Sequence, residues 1–313
     1  MLQYALRRVA WFVPILLGVA TVTFFLLHVL PGDPVLSMVG ERYDAETIAR
    51  LRAQMHLDEP LPQRYVRYLT SLVRLDLGDS YVTGAPVWDS IRERAPRTLR
   101  LAVAAMTIAV VVGVGIGVIA ACRRGSALDY LPVGGSVVGV SMPVFWLGVL
   151  LIYVFSTRLG LLPASGFGGG RLAYLILPAF TLAQASTAYV ARITRSSVLD
   201  EIHETYVKVV RAKGASESRI LVRHALRNAL LPIITVVGVD FGSYLSGAVL
   251  TESIFAWPGL GRFTLDAILK RDLPAIQGAV LFMAIMFMTV NLIVDILYSR
   301  VDPRVKLAGG GSA

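Results

Sequence analysis

Residues 206–216 read Tyr206-Val207-Lys208-Val209-Val210-Arg211-Ala212-Lys213-Gly214-Ala215-Ser216, and residues 224–232 read His224-Ala225-Leu226-Arg227-Asn228-Ala229-Leu230-Leu231-Pro232. This charged stretch lies between two long apolar runs. No catalytic motif accompanies it, so its polar chemistry points to a surface on which another protein docks. The runs on either side decide the fold.

Hydrophobic residues make up 55% of the 313-residue chain and charged residues only 16%, against about 25% charged in a soluble domain. Mean hydropathy is +0.65. Six apolar runs approach or exceed the roughly 20 residues that span a hydrocarbon core: about 9–30, 99–121, 132–157, 173–191, 231–250 and 277–298. Pro178 and Gln184 dilute the fourth. The first is too long for a signal-peptide core and is followed by Leu30-Pro31-Gly32-Asp33-Pro34 rather than a small-residue cleavage site, so it is expected to remain as a span. Gly309-Gly310-Gly311-Ser312-Ala313 reads as an expression linker.

Lys and Arg placement predicts the orientation. With the amino terminus inside, the inner loops carry 15 basic residues; the outer ones also carry 15, but 10 of these fall in residues 31–100. Long segments translocate largely regardless of charge, so both termini are expected in the cytoplasm. The net charge of +9 then reads as membrane orientation rather than nucleic-acid binding. The single cysteine, Cys122, excludes an intrachain disulfide and falls at the cytoplasmic end of the second span.

Residues 31–98 form a polar, helix-punctuated insertion outside the membrane. Asp44 is placed to cap a helix to about His56, Pro62 to open a second with Tyr65, Val66, Leu69, Leu72 and Val73 on one face, and Pro86 a third carrying Val87 and Ile91. After the fifth run, Thr251-Glu252-Ser253-Ile254-Phe255-Ala256-Trp257-Pro258-Gly259-Leu260-Gly261 places Phe255 and Trp257 where aromatic rings suit the membrane interface. Glu252 and Trp257 are the expected extracytoplasmic contact residues. An amphipathic segment with Phe263, Leu265, Ile268 and Leu269 follows.

Within 192–230 the expected structure is two short helices. The first runs from about Leu199 to Lys213 and ends at Gly214, which tolerates the left-handed conformation. Ser216 caps the second, with Glu217 in its first turn. Arg219, Arg223 and Arg227 recur every four residues as a basic stripe, beside an apolar stripe of Val222, Leu226 and Leu230. Such a unit fits a groove on a soluble partner.

Several chemistries are missing. None of the four lysines follows a glycine, so there is no phosphate-binding loop. His203-Glu204 begins a zinc-protease motif, but the second histidine position is Val207. No nucleophile elbow is present, and the four histidines are scattered. Neither a catalytic nor a metal site is expected.

The loop resembles the coupling loop of permease subunits in bacterial dipeptide and oligopeptide ABC importers. The match lies in Arg211-Ala212-Lys213-Gly214 with His224-Ala225-Leu226-Arg227-Asn228 and Pro232. Importer permeases generally carry Glu-Ala-Ala, three residues, then Gly; here Lys208-Val209-Val210 departs from the first triplet and Gly214 keeps the last place. Leu159-Gly160-Leu161-Leu162-Pro163-Ala164-Ser165-Gly166, the Thr251–Gly261 stretch and Ser141-Met142-Pro143-Val144-Phe145-Trp146-Leu147-Gly148 are similar to stretches typical of these permeases. The resemblance covers nearly all of residues 1–306, and the 31–98 insertion is like that of one of the two permease types.

The resemblance implies an all-α, type I importer permease fold with six transmembrane helices and cytoplasmic coupling helices, in a bacterial plasma membrane. It implies a second, non-identical permease chain, two ATPase subunits or domains holding ATP and Mg, and an external substrate-binding protein. Tyr206, Lys208, Arg211, Ala212, Gly214, Ser216, Arg219, Arg223, His224 and Arg227 would couple to the ATPases. Asp240, costly in mid-span and so expected to face a wet path, joins Ser141 and Pro143 as candidate path or gate residues. Pro143 is expected to bend the third span. Asn291 and Asp295 read as packing groups near a span end. Gly113, Gly115 and Gly117 are expected to permit close helix approach. The substrate stays open between dipeptides, oligopeptides, nickel and other small solutes. A stand-alone channel, an ion-coupled transporter or a membrane scaffold is the alternative, for which no docking loop is needed.

Overall fold

The computed structural model describes residues 2–29, 35, 44–123, 125–126, 134–135 and 141–301. Helices dominate: α1 (Leu2–Val29), α2 (Ala45–Gln54), α3 (Leu61–Val73), α4 (Val87–Cys122), α5 (Val144–Leu151), α6 (Ala173–His203), α7 (Thr205–Ala212), α8 (Leu226–Gly247), α9 (Val249–Ile254), α10 (Leu260–Leu269) and α11 (Leu273–Val301). No strand appears among the described residues; the one β-bridge joins Asp79 to Pro86.

Among the described residues, four helices are long and apolar enough to cross a bilayer: Leu6–Leu27, Val87–Cys122, Ala173–His203 and Leu273–Ile296. Ile220–Leu230 and Pro232–Tyr244 make a fifth if taken together across their 51° bend. The bend falls at Pro232, which cannot donate to the helical ladder. Of the expected span at 132–157, residues 134–135 and 141–157 are described, and the helix Val144–Arg158 is apolar but shorter. Residues 132, 133 and 136–140 lie outside the described residues. Pro143 does not bend this helix. It has extended backbone, φ −60° and ψ 134°, and stands as the N-cap, where the missing N–H removes no helical bond.

The helices outrun the hydrophobic runs. The third expected helix of the insertion and the second span are one 36-residue helix, α4, which carries Pro96 inside. An Arg97–Glu93 pair one turn apart, at 2.7 Å, accompanies its polar end. The fourth span likewise continues to His203 in the 31-residue α6. Charge limits how far a helix stays in hydrocarbon, but the backbone ladder continues in water.

The chain divides into two compact units. One comprises Leu6–Thr98 and Pro258–Met286. Its core packs Val87 and Ile91 of α4 against Leu260, Ala267, Ala275 and Ile276. Asp272, 3% exposed, organises this unit. One carboxylate oxygen accepts from Ser80 Oγ at 2.5 Å, and the other from the Tyr81 amide at 3.0 Å and the Ala275 amide at 3.4 Å. The last contact places Asp272 as the cap of α11. The inward face of α3 carries Arg64, Tyr65, Tyr68, Leu69 and Leu72. Val66 and Val73, expected beside Tyr65, are 62% and 85% exposed; Tyr65 and Tyr68 set the face by packing on Phe24 of α1.

The other unit runs from Leu99 to Trp257 and resumes at Phe287. Glycine sets the closest helix approaches. A Cβ on Gly113 would lie 2.9 Å from the Thr187 carbonyl oxygen, and one on Gly117 2.6 Å from that of Ala191, so α4 meets α6 nearly backbone to backbone. Gly115 faces open space and takes no part. On α8, Gly238 and Gly242 instead make room for the Val294 and Phe287 side chains of α11.

The Glu252–Trp257 corner belongs to this unit's interior. Phe255 is 1% exposed, and Trp257 and Glu252 are fully buried, which overturns their reading as interfacial anchors and outward contacts. Trp257 packs with Leu101, Leu175, Ala179 and Ala248 and meets Phe167 edge-on at 5.0 Å. Its amide donates to the Glu252 carbonyl at 2.8 Å, and the Gly166 amide to that of Phe255 at 2.7 Å. The rings turn inward because the corner's backbone bonds are closed locally and ring volume is needed below. In the amphipathic segment, Leu260, Thr264 and Ala267 face inward while Ile268 and Leu269 stay exposed.

Candidate coupling surface and path

The segment between α6 and α8 is built on a sharp break. Glu204 takes φ −63° and ψ 149°, ending α6 at His203, so the helix expected from Leu199 to Lys213 is two helices. No glycine or proline marks the break. Beyond it α7 buries Val207 and exposes Lys208, Val209, Arg211 and Ala212. Gly214 follows at φ +81°. A Cβ there would meet nothing within 4 Å, so glycine is needed for conformation rather than space.

A polar cluster fixes α7. The Tyr206 hydroxyl donates to Glu201 Oε2 at 2.5 Å, and Asn228 Nδ2 lies 2.9 Å from the Tyr206 oxygen and 3.2 Å from Glu201 Oε2. The carbonyl of His224 lies 3.5 Å from the same hydroxyl. One phenol therefore ties together the end of α6, α7 and the start of α8. Burial, and then the bond to Glu201, push this phenol up to about 12. Glu201 was missed in the sequence; the contact depends on the break at Glu204, which no residue pattern announces.

Across the Gly214 turn, Arg211 and Glu217 form a two-point ion pair at 2.6 and 3.0 Å. The hydrogen bond and charge of Glu217 raise the guanidinium's pKa. The bond from Arg211 lowers that of the carboxylate. The pair is solvent-exposed, so its role is geometric. Ser216 occupies the N-cap position with extended backbone, φ −68° and ψ 148°, but makes no side-chain cap bond.

The second helix departs from its expected form. Glu217–Arg219 gives way to a π-helical turn, Ile220–Ala225, before α8. The buried positions are Ile220, Ala225, Ala229 and Ile233, a spacing that opens with five residues and continues with four. The wide turn moves the apolar face away from Val222 and Leu230, which are 62% and 37% exposed, while Leu226 stays partly buried. Ala225 and Ala229 pack instead on Ala121 and Val198. Arg219, Arg223 and Arg227 are exposed and His224 is half-buried. The outward surface thus combines arginines and Lys208 with the apolar groups Val209 and Val222.

The candidate path residues are more dispersed. Asp240 is half-buried on α8 and makes no hydrogen bond or ion pair among the described residues. Its electrostatic neighbour is Tyr244, one turn on. The buried Tyr244 hydroxyl faces Ser186 without closing a bond of good geometry. Ser141 and Pro143 are both exposed at the start of α5; Gln184 of α6 reaches the Met142 carbonyl between them at 3.5 Å. Gln184, an amide in an apolar span, was legible as unusual.

The sequence pattern of binding-protein-dependent transport system inner membrane components matches residues 113–307, and that of the amino-terminal part of such components matches residues 1–102. The chain is 42% identical to the dipeptide transport system permease protein DppB of Escherichia coli (strain K12), over 98% of this chain and 99% of that one. It is 41% identical to the glutathione transport system permease protein GsiC of Salmonella paratyphi A, over 98% and 99%. In fold it is similar to a chain of the MetNI methionine ABC transporter in an inward-facing conformation, with TM-score 0.57, 18% identity, and coverage of 68% of this chain and 96% of that one. An amino acid ABC transporter chain gives TM-score 0.51 at 20% identity, covering 69% and 94%. These matches span the α4–α11 helices and the polar segment alike: the chain belongs to the family of inner membrane components of binding-protein-dependent transport systems.

Proposed function

We propose that this chain is the membrane-spanning subunit of an ATP-driven importer that carries small peptides into the cytoplasm. The full-length similarity to a dipeptide permease carries this reading. The segment from α7 to Arg227 supports it, because it is rigidly tied at Tyr206 and presents an arginine-rich face. A second, non-identical permease chain completes the path, two ATPase subunits or domains dock on that face, and an external binding protein delivers substrate. ATP and Mg bind the ATPases. This chain supplies the path and the docking helices.

In this mechanism Lys208, Arg211, Ala212, Gly214, Ser216, Arg219, Arg223, His224 and Arg227 form or shape the docking element. ATP favours the closed ATPase pair, and the element passes that preference to the spans by biasing one of two global states. Asp240, Ser141 and Pro143 stand along the path. Both termini lie in the cytoplasm, with the insertion outside.

Co-purification from native membranes identifies the partner chains, and dipeptide-stimulated ATP hydrolysis by that complex tests the substrate. Glutathione in a parallel assay separates the two relatives' substrates. Orientation has its own test. The exposed thiol of Cys122 should react with an impermeant reagent only in inside-out vesicles; reaction from the opposite face would overturn the orientation and the docking assignment with it.

A further inference from the structure

The unit built on α1, α2 and α3 holds a half-open cavity of about 620 Å³, within the range of small-molecule sites. Its chemistry has two poles. At one stand Arg64 and Tyr68, one helical turn apart on α3, with Tyr81 lining the same cavity. Arg64 is half-buried, and its side chain makes no hydrogen bond or ion pair among the described residues. Its nearest electrostatic neighbours are Tyr81 and Glu59, and Glu59 is already engaged by Arg67 at 2.6 Å and His56 at 2.9 Å. The Tyr68 hydroxyl is buried and lacks a partner. An unpaired, partly desolvated guanidinium beside an orphaned hydroxyl is costly in a folded protein, and an anion would satisfy both.

The other pole is acidic. Asp76 and Asp79 line the same cavity. Asp76 spends one oxygen on the Gly78 amide at 2.8 Å, and Asp79 forms no ion pair among the described residues. Neither acid forms an ion pair with Arg64 among the described residues, and the other cations lining the cavity, His56 and Arg67, are taken by Glu59. The frame is firm. The Tyr68 ring stacks on Phe24 at 5.6 Å, and the Ser80–Tyr81 loop is clamped by Asp272. Burial raises the Tyr81 phenol and pushes that of Tyr68 up to about 12, so both remain neutral donors at physiological pH.

We propose that this cavity binds the free ends of a small peptide, its carboxylate on Arg64 with the Tyr68 and Tyr81 hydroxyls and its ammonium at Asp79. A carboxylate matches the guanidinium fork. A second positive group is what an unpaired aspartate at the far pole would take, and a dipeptide carries both. The inference rests on the peptide reading above and extends it: the permease itself holds the substrate in the unit that contains the insertion, apart from Asp240.

The probe is radiolabelled L-alanyl-L-alanine, measured by equilibrium dialysis on the complete transporter in lipid nanodiscs without the external binding protein. Saturable binding is expected, weakened about tenfold or more by Arg64→Gln, and also weakened by Tyr68→Phe, which keeps the stacked ring and so remains informative if the arginine variant assembles poorly. A tenfold change is the scale of one charge-assisted bond. Competition by the dipeptide amide should be weak in the parent protein, and Arg64→Gln should erase its disadvantage relative to the dipeptide. Asp79→Asn should do the same for the N-acetylated dipeptide. Binding that is absent, or unchanged in these variants, overturns the site; acetate competing as well as the dipeptide overturns the two-ended ligand. Uptake with the binding protein restored separates the failures. Uptake without such binding removes this inference alone, whereas no peptide uptake removes the peptide reading.

Discussion

Two segments of the same unit attract attention in the sequence, and they end in opposite environments. Tyr206–Arg227 keeps its arginines, Lys208, Val209 and Val222 outward. Glu252–Trp257 turns Phe255, Trp257 and even Glu252 completely inward. Both contain helix-ending chemistry, with Gly214 at φ +81° in one and Ala256 at φ +48° in the other. What separates them is where the rings find a void. Trp257 has a pocket of small and branched residues, Ala179, Ala248, Leu101 and Leu175, waiting beneath it. Below the coupling segment the corresponding contacts are filled by Ala225 and Ala229 with Val207 and Ile220, so Val209 and Val222 are left outside. An aromatic residue near a membrane-facing loop is therefore an anchor only if the helices beneath it are already full.

The contrast predicts that the corner fails by unfolding and the coupling segment by uncoupling. Trp257→Ala carries the largest effect. Removing a fully buried indole should cost about 3–5 kcal/mol, seen as a lower thermal midpoint of the purified chain and a lower yield in membranes. A midpoint unchanged by this substitution would break the assignment of the corner to the core.

Charge reversal at Arg219 and Arg223 should do the converse. Both are exposed, so stability should move by no more than about 0.5 kcal/mol, while ATPase association weakens about tenfold or more and uptake falls with it. Gly214→Val belongs beside them. Its positive φ costs a side chain about 1–2 kcal/mol, and the turn should relax and misdirect the helical stretch from Glu217 onward. Normal association and uptake in all these variants would remove the docking surface from this segment.

Much of this was open to inspection in the chain, and the rest was hidden for definite reasons. Span positions follow from run length, because hydrocarbon thickness is fixed. Gly214 follows from helix-ending rules, and Gly113 and Gly117 from small-residue packing. The start of α4 after Pro86 was also legible. Its continuation through Arg94 and Pro96 was not, since hydropathy registers the end of the apolar slab and not of the ladder. The break at Glu204 and the π turn at Ile220–Ala225 carry no propensity signal. They arise from packing, and they alone determine that Ile220, and not Val222, is buried. Val222 and Leu230 left the predicted apolar stripe through that one extra residue, while Leu226 stayed packed.

Tyr206 lies between the two extremes, being a tie within the exposed segment. Tyr206→Phe keeps the ring and removes the hydroxyl that joins Glu201 to Asn228. Those two retain their own contact at 3.2 Å, so the loss should be about 1 kcal/mol. The raised phenol gives the parent protein a further signature. With the folded value raised from 10.0 to about 12, its contribution to stability is whole below the ordinary value and fades as pH climbs between the two. Tyr206→Phe should lack that alkaline loss. Identical pH profiles of the thermal midpoint in parent and variant would place the phenol outside the tie.

Asp240 should give the smallest change in stability, and it sharpens the comparison most finely because it belongs to neither extreme. It is half-buried on α8 and has no hydrogen bond or ion pair among the described residues. Asp240→Asn keeps shape and hydrogen-bonding capacity, so assembly should shift by less than about 0.5 kcal/mol. A carboxylate kept in a span without a partner is expected to face water, substrate or another chain; removing its charge should then alter uptake or substrate-stimulated ATP hydrolysis by a few-fold at unchanged complex yield. Asp240→Leu removes both charge and hydrogen bonding and should impair transport more. If the Asn variant is silent in transport while Leu lowers yield, the residue serves packing, and the path must be sought along α6, where Gln184 and Ser186 stand. Measuring yield beside transport in both variants separates these outcomes, since a packing defect lowers both together and a path defect lowers transport alone.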